Sequence, residues 1–253
     1  MPSTPSTPST PSTLYTDPRL VALYDTLNPP AADTAFYLAL AASRDRVIDL
    51  GCGTGLLTCE LAALGARVIG IDPANAMLQV ARKRPHAERV DWIEGDAGAL
   101  AILPPADLVL MTGHVAQVFI DDSAFLATLK AARHALRTGG ELSFECRNPA
   151  ARAWDAWTPL RSHRKIAVEG IGEVEVWLAD AVESPQSVVR FTTHFKFQAS
   201  GNELISASEL RFRSQDELTA LLNQAGFSSL TWFGDWDGTG VSAGSRELIV
   251  IAR

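Results

Sequence analysis

Strand-like and helix-like segments alternate regularly between residues 46 and 146. Short apolar runs rich in Val, Ile and Leu read as buried strands, and the segments between them carry apolar residues at helical spacing. Strands that alternate with helices at these lengths predict βαβ units around a mostly parallel sheet. The predicted strands cover 46–50, 66–72, 90–96, 107–113 and 141–146, and the predicted helices cover 56–64, 73–84 and 122–140, the last ended by glycines.

The pattern changes to a period of two between residues 165 and 213. In 188–198, apolar residues and Thr193 alternate with polar and charged ones, which is typical of a half-buried strand. We therefore expect a three- or four-stranded antiparallel sheet inserted into the α/β domain. Ser214 and Glu217 then form a predicted capping box for a helix that Gly226 ends, and two closing strands follow near 227–233 and 246–252.

The first residues differ in composition from the rest of the chain. Residues 2–13 repeat Pro-Ser-Thr four times and offer no apolar face, so residues 1–13 are predicted to be a disordered tail. Two helical patterns follow, at 17–28 and around 33–42.

Composition limits the classes of partner. The chain of 253 residues has a formal net charge of −7, and no cluster of Lys or Arg stands out, which argues against nucleic acid or an anionic membrane as the main partner. Three cysteines without a C-x-x-C pair argue against a zinc site or a disulfide framework and favour the cytoplasm. The five scattered histidines give no metal-binding spacing, so no metal is expected.

The stretch "VIDLGCGTG" at 47–55 places a glycine loop between the first strand and the first helix, where backbone N–H groups can face a ligand. Gly51 and Gly53 match a dinucleotide fingerprint, but its third small position is occupied by Leu56. The phosphate-binding lysine of a P-loop is also absent. Because Asp49 is a poor neighbour for a pyrophosphate, a ligand with cationic character suits the loop better.

Two further acids end predicted strands at the ligand edge of the sheet. Asp72 lies 21 residues after Gly51, where a carboxylate accepts hydrogen bonds from both hydroxyls of a ribose, although it also suits a cap for the next helix. Asp96 ends the third strand, where it either accepts from an adenine amino group or forms a turn.

Together the segments "VIDLGCGTG", "VIGIDPANAML", "EGDAGAL" and "LRTGGELSFE" resemble those of class I S-adenosylmethionine-dependent methyltransferases. The resemblance is strong over 46–146 and moderate over 214–252. It implies a doubly wound, Rossmann-like sheet of seven mostly parallel strands, the last antiparallel, with the antiparallel β-sheet as an insertion. It also implies a cofactor site for S-adenosylmethionine, in which the glycine loop runs under the cofactor, Asp49 lies near its methionine end, Asp72 holds the ribose and Asp96 with Ala97 meets the adenine. The residues expected to bind the cofactor are Asp49, Gly51, Cys52, Gly53, Gly55, Asp72, Met77, Asp96, Ala97 and Tyr24.

Several of these residues have an ordinary structural alternative. Cys52 is interpreted as a small loop filler and not as a nucleophile. Met77 is either cofactor lining or helix core, and Tyr15 and Tyr24 either close over the cofactor or pack within their helices.

The acceptor side of the expected site is less defined. His114 follows the fourth strand and is interpreted either as a substrate contact and general base or as a loop histidine bonded to backbone. Arg147 either anchors a substrate carboxylate or pairs with a neighbour such as Glu145, the ion pair being slightly favoured. The base remains open among His114, Glu145 and His163. Trp154 and Trp157, three residues apart on an expected helix, either wall an aromatic substrate pocket or form core.

These observations predict methyl transfer from S-adenosylmethionine to an oxygen or nitrogen of a small molecule. The alternatives are a non-catalytic cofactor-binding module and, less favoured, a nicotinamide-dependent oxidoreductase. A homodimer through the inserted sheet is kept open. The expected division of the chain is a tail at 1–13, a helical lid at 14–45, a methyltransferase core at 46–150 and 214–253, and a substrate cap at 151–213.

Overall fold

A computed structural model describes residues 12–253, in which eleven strands form two sheets. The strands are β1 Arg46–Leu50, β2 Arg67–Asp72, β3 Val90–Glu94, β4 Ala106–Met111, β5 Leu136–Arg147, β6 Arg164–Val168, β7 Gly172–Glu183, β8 Val188–Phe197, β9 Glu203–Arg211, β10 Leu230–Phe233 and β11 Glu247–Ala252. The helices are α1 Thr13–Thr16, α2 Pro18–Val21, α3 Tyr24–Leu27, α4 Ala32–Ala41, α5 Leu56–Ala63, α6 Asn75–Ala81, α7 Val115–Val118, α8 Asp122–Ala135, α9 Pro159–Ser162 and α10 Gln215–Gln224.

The central sheet has seven strands in the order β10-β11-β5-β4-β1-β2-β3. Its pairs from β5 to β3 are parallel, whereas β11 runs antiparallel to both β5 and β10. The predicted doubly wound, mostly parallel sheet with an antiparallel last strand is therefore confirmed. The chain order reverses at β1, with β2 on one side and β4 on the other, and open parallel sheets bind ligands at the carboxyl ends of the strands beside such a point.

The sheet is buried on both faces. Helices α8 and α10 cover one face in a cluster that includes Phe125, Leu129 and Leu222. Helices α4 and α5 cover the other, with Tyr37 and Leu61 in its buried cluster. No helix in residues 12–253 has the length and apolar character needed to cross a bilayer.

Two helix predictions were wrong in extent. The helix predicted at 122–140 ends at Ala135, and Leu136 already pairs with Ala106 as the start of β5. The glycines do not end the helix: Gly139, with a φ of +77°, lies in an irregularity of β5 where a Cβ on Gly140 would come within 3.0 Å of the Ala106 carbonyl oxygen. The helix predicted at 17–28 is divided into α2 and α3.

The predicted inserted sheet is confirmed as the four antiparallel strands β6-β7-β8-β9. Its inner face, including Val176 and Phe195, packs against Leu20 and Leu23 of the N-terminal segment in one buried cluster. The capping box predicted from Ser214 and Glu217 is also present at the start of α10, directly after this sheet.

Residues 1–11, which include most of the Pro-Ser-Thr repeat, lie outside the described residues. Its last two residues lie within the fold, because Ser12 accepts a hydrogen bond from the Leu14 N–H at the start of α1 and Thr13 is the first residue of that helix. Thr13 Oγ1 donates to Ser206 Oγ of β9 at 2.9 Å, so the beginning of the described chain is attached to the inserted sheet.

Candidate active site

The carboxyl ends of β1, β2, β4 and β5 meet along one edge of the central sheet, and most of the predicted site residues lie there. The N-terminal helices and the inserted sheet pack together near this edge. The site thus combines residues from distant parts of the chain.

The glycine loop after β1 is held to the end of β2. The N–H groups of Gly51 and Cys52 both donate to the Ile71 carbonyl, at 2.7 and 3.1 Å. All three predicted loop glycines have positive φ, but they differ in their surroundings. A Cβ on Gly51 would lie 2.5 Å from Val115 Cγ2, whereas a Cβ on Gly53 would meet nothing within 4 Å. The backbone at Gly53 therefore has an open side.

Asp72 connects the end of β2 to this loop. Its carboxylate accepts from the Gly53 N–H and from the Ala74 N–H, each at 2.8 Å. Burial raises its pKa, and these two hydrogen bonds oppose the rise. One N–H bond per oxygen leaves a second lone pair on each, so Asp72 keeps the capacity to accept two hydroxyls.

Asp49 is a buried carboxylate beneath the same loop, 1% exposed. Its Oδ2 accepts from Thr58 Oγ1 at 2.6 Å, and its Oδ1 has no hydrogen-bond partner in the described structure. Burial raises the pKa of Asp49 to about 6, the Thr58 hydroxyl opposes the rise, and Asp72 and Glu145 add to it. A buried acceptor without a donor is costly and is satisfied by a cationic or hydrogen-bond-donating ligand.

Two tyrosines of the N-terminal helices lie near this edge. Tyr15 and Tyr24 meet edge to face with ring centroids 6.2 Å apart, and both pack in a cluster with the buried Met77 of α6. Burial raises the pKa of Tyr15, with Arg147 opposing and Asp72 adding to the rise. The Tyr15 ring therefore lies within the electrostatic range of both charged groups.

The remaining predicted cofactor residues occupy less informative positions. Asp96 is exposed and accepts from the Gly98 N–H at 2.8 Å, as the cap of a 3₁₀ turn at Ala97–Ile102. Ala97 is half-buried at the start of that turn. Cys52 is buried, and burial raises the pKa of its thiol, which agrees with a loop filler. A Cβ on Gly55 would collide with the Trp92 ring, so this glycine permits close packing.

His114 is held at both its backbone and its ring. It has a φ of +62°, and its N–H donates to Glu145 Oε1 at 2.7 Å. Its ring Nε2 lies 3.0 Å from Glu247 Oε2, at the start of the antiparallel strand β11. Since a carboxylate accepts, Nε2 carries the proton in the neutral ring, and Nδ1 is left with its lone pair. Both structural and chemical interpretations of His114 thus remain compatible with its position.

Glu145 has a mainly structural role in this arrangement. It is 1% exposed, and besides the His114 N–H it accepts from the Tyr37 hydroxyl of α4. Burial raises the pKa of Glu145, and the His114 and Tyr37 contacts oppose the rise. Because its carboxyl group is buried away from solvent and both oxygens are bonded to neighbouring elements, Glu145 is a poor candidate for the base.

The favoured ion pair of Arg147 with Glu145 was wrong. Among the described residues, no carboxylate oxygen lies within the 4.0 Å of Arg147 that an ion pair requires. Its Nη1 donates instead to Gln117 Oε1 at 3.1 Å, and its guanidinium carbon lies 5.7 Å from the centroid of the Trp157 ring. Both carboxylates nearby are occupied, Glu145 by its two donors and Glu247 by His114.

The two tryptophans do not lie on an α-helix, because a 3₁₀ turn covers Ala153–Ala156. Trp154 is buried against Phe212, with ring centroids 4.5 Å apart, which agrees with the core interpretation. Trp157 is half-buried and packs at 4.5 Å against Phe191 of the inserted sheet. Both line a cleft of about 460 Å³ between this turn and β7.

His163 is not part of this group. Its Nε2 lies 3.3 Å from Glu175 Oε2, and its ring stacks on Trp177 of β7. These contacts are with charged and aromatic side chains of the inserted sheet, and nearly half of the His163 side chain is exposed. Within residues 12–253, no three His, Cys, Asp or Glu side chains come together as a metal site.

The sequence analysis missed four residues of the site. Thr58 lies on the helix after the glycine loop, where its pairing with Asp49 follows from a nine-residue separation. The other three residues are distant in sequence from the residues they bind: 108 residues for Tyr37 and Glu145, 30 for Gln117 and Arg147, and 133 for Glu247 and His114. Only the antiparallel pairing of β11 with β5 would have indicated Glu247, which is opposite Arg147 in the register.

Comparison with known proteins agrees with this geometry. Residues 47–140 match the family model described as a methyltransferase domain. The cypemycin N-terminal methyltransferase of a Streptomyces species is 28% identical over 248 residues, which are 93% of this chain and 96% of that protein. A ubiquinone/menaquinone biosynthesis C-methyltransferase of Rubrivivax gelatinosus is 27% identical, over 77% of this chain and 67% of that protein.

Solved structures share the fold at low identity. The CcbJ methyltransferase from Streptomyces caelestis superposes with a TM-score of 0.73 at 22% identity, over 92% of this chain and 95% of that one. The sugar N-methyltransferase KedS8 from a Streptoalloteichus species gives 0.74 at 18% identity, over 100% and 98%. The four sequence segments, the strand order and the matched domain at residues 47–140 agree, so the predicted resemblance to the class I S-adenosylmethionine-dependent methyltransferases is confirmed.

Proposed function

We propose that this enzyme transfers the methyl group of S-adenosylmethionine to an oxygen or nitrogen of a small-molecule acceptor by in-line displacement. The observation that carries the proposal is the buried carboxylate of Asp49, with one oxygen unpartnered beneath a glycine loop that is open at Gly53. Such a site suits a ligand with cationic character.

The residues present fit the cofactor. Asp72 would accept the two ribose hydroxyls through its free lone pairs, and Asp49 would face the cationic amino-acid end. Tyr15 and Tyr24 would cover the site from the N-terminal helices, and Asp96 with Ala97 would meet the adenine. When bound, the cofactor supplies a sulfonium-activated methyl group, which is already a good electrophile.

The chain's own contribution is then to orient the acceptor and to remove a proton. Orientation alone can account for about 7–11 kcal/mol of barrier lowering. His114 would be the general base: Glu247 holds the Nε2–H, so Nδ1 is the atom that accepts the proton from the acceptor. Glu145 would position this base by accepting a hydrogen bond from the backbone N–H of His114.

The parts of the chain take distinct roles in this proposal. The core at 46–150 and 214–253 would hold the cofactor, the helices within 14–45 would act as a lid, and 151–213 would cap the acceptor, with Trp157 toward the substrate side. A net charge of −7 supports a small molecule over a nucleic acid. Three free cysteines, all buried, support a place in the cytoplasm.

Calorimetric titration with S-adenosylhomocysteine tests the cofactor part. The wild-type protein should bind it. Asp72→Asn should weaken binding about 10- to 100-fold, because the amide oxygen accepts more weakly than a carboxylate and the amide nitrogen would face the Gly53 or Ala74 N–H as donor against donor. Asp91→Asn, at an exposed position on β3, is the matched control and should bind as the wild type does.

Absence of binding to the wild-type protein would contradict the proposal and would direct attention to nicotinamide cofactors. Binding without methyl transfer to any acceptor of a broad panel would favour a non-catalytic module. Light scattering on the same samples would show whether the inserted sheet supports a homodimer.

A further inference from the structure

We propose that the acceptor is an aromatic carboxylic acid whose carboxylate is bound by Arg147. This inference rests on the proposed function, since it names the substrate class of the same site. Arg147 ends β5 at the ligand edge, and the bonds of its guanidinium group define what can bind there.

One side of the guanidinium group is used and the other is open. Nη1 donates to Gln117 Oε1 at 3.1 Å, whereas Nε and Nη2 donate to no atom of residues 12–253. Neither of these two nitrogens belongs to the buried polar atoms without a partner, so both keep contact with solvent. The Nε and Nη2 N–H groups form the planar fork that binds a carboxylate through two parallel hydrogen bonds.

The charge of Arg147 is poorly compensated. Burial lowers the pKa of its guanidinium group, and Glu247, Glu145 and Tyr15 oppose this only through space. Glu145 is engaged by Tyr37 and the His114 N–H, and Glu247 is engaged by the His114 ring. Charges in such surroundings are normally paired, so an anionic ligand group would supply the missing partner.

Its position places Arg147 on the acceptor side. The glycine loop and Asp72 belong to β1 and β2, while β5 is separated from β1 by β4. At a strand spacing of about 4.8 Å, Arg147 is about 10 Å across the sheet from the loop strand. Glu247 is opposite Arg147 in the register of β5 and β11 and also holds His114, so a ligand bound by Arg147 lies beside the base.

The body attached to the carboxylate is indicated by Trp157. Its ring centroid is 5.7 Å from the guanidinium carbon, and its own packing against Phe191 at 4.5 Å fixes it to the inserted sheet. The Trp157 ring has the guanidinium group over it and Phe191 packed against it, so its exposed part suits a flat apolar body through edge-to-face contact that adds to burial.

The test compares acids with their uncharged amides on the protein saturated with S-adenosylhomocysteine. The probes are 4-hydroxybenzoate, phenylacetate and indole-3-carboxylate, each with its primary amide, titrated calorimetrically. At least one acid should bind more tightly than its amide. Arg147→Gln should weaken the binding of that acid about 10- to 100-fold and leave the binding of its amide unchanged. Arg147→Lys should restore only part of the affinity for the acid, because lysine restores the charge without the planar fork.

Arg190→Gln is the control, since this arginine pairs with Glu209 on the outer face of the inserted sheet, and it should leave acid binding unchanged. The proposal is overturned if no acid binds, if acids and amides bind alike, or if Arg147→Gln leaves acid binding intact.

A third arm identifies whose carboxylate is bound. Arg147→Gln should bind S-adenosylhomocysteine and 5′-methylthioadenosine, which lacks the amino-acid end, as the wild type does. If Arg147→Gln lost binding of S-adenosylhomocysteine but kept binding of 5′-methylthioadenosine, Arg147 would be assigned to the cofactor's carboxylate and the acceptor proposal would be overturned. Failure of the wild-type protein to bind S-adenosylhomocysteine would instead contradict the proposed function itself.

Discussion

At the scale of the residue, the buried carboxyl group of Asp49 makes the stability of the protein depend on pH. Its carboxyl is buried with one oxygen unpartnered, and burial raises its pKa from 3.8 to about 6. The folded state therefore binds the proton more tightly than the unfolded state. Between pH 4 and 6 the free energy of unfolding should fall as the pH rises, by about 2 kcal/mol of the about 3 kcal/mol that a shift of about two pKa units is worth in full.

Asp49→Asn should remove this dependence. The amide does not titrate, so the free energy of unfolding of the mutant should rise by about 2 kcal/mol relative to that of the wild-type protein between pH 4 and pH 7.5, whatever the difference at pH 4. Urea unfolding of the cofactor-free proteins at several pH values measures the gain. Asp91→Asn, with an exposed side chain, should instead follow the wild-type profile; parallel profiles for Asp49→Asn and the wild type would contradict the prediction.

Residue types and spacing indicated part of this site and missed the rest. Asp49 and Asp72 follow from their places at strand ends in a recognisable segment, and the structure brings both against the glycine loop. Glu247 and Gln117 could not be predicted in the same way, since each acts through a partner at least 30 residues away. Arg147 was expected at the correct edge of the sheet, but its partner was not predicted. Its partner is Gln117 because other residues already bind Glu145 and Glu247, and those contacts depend on tertiary packing.

At the scale of the element, two glycines of the loop meet different requirements that the sequence pattern does not distinguish. Gly51 avoids a collision with a neighbouring side chain, whereas Gly53 leaves one side of the backbone open. Gly51→Ala adds a methyl group 2.5 Å from Val115 Cγ2, at a φ of +83°, whereas Gly53→Ala adds one in open space at a φ of +54°. Both substitutions bear about 1 kcal/mol of backbone cost. Gly51→Ala should be more destabilising by a further 1–3 kcal/mol, approximately the usual cost of overpacking.

Val115→Ala provides the check on this explanation. In the Val115→Ala background, Gly51→Ala should destabilise about as little as Gly53→Ala, because the colliding methyl group is gone. Urea unfolding of the four variants gives the cycle. Gly53→Ala should instead weaken the binding of S-adenosylhomocysteine, which calorimetry measures. If Gly53→Ala and Val115→Ala were non-additive in the free energy of unfolding, the collision would not be specific to position 51 and the explanation would be contradicted.

The same scale shows why element ends were harder to predict than element types. Local signals placed a stop for α8 at the two glycines, but β5 begins at Leu136, where pairing with Ala106 of β4 determines the end of the helix. In the N-terminal segment, one helical periodicity covers two short helices, because the chain turns after Val21 to pack on both α6 and the inserted sheet. The strands were predicted more accurately because burial on both faces leaves little choice of residue.

At the scale of the whole molecule, the N-terminal helices connect the core to the inserted sheet. Leu23 is fully buried in the cluster with Val174, Val176 and Phe195, while Val21 packs with Met77 of α6. The N-terminal helices and the inserted sheet, although far apart in sequence, should therefore open together. An enzyme that must admit and release its ligands is expected to open through a unit whose parts move together.

Leu23→Ala tests this coupling. The cavity should cost about 2–5 kcal/mol within the cluster. Hydrogen exchange should then accelerate in α2, α3, β7 and β8 together, while β1 and β4 keep their wild-type protection. Leu129→Ala, in the buried cluster of the central sheet, is the contrast, since it should accelerate exchange throughout the core. Faster exchange confined to the N-terminal helices would show that the inserted sheet is stable without them, and the lid and the cap would then move as separate bodies.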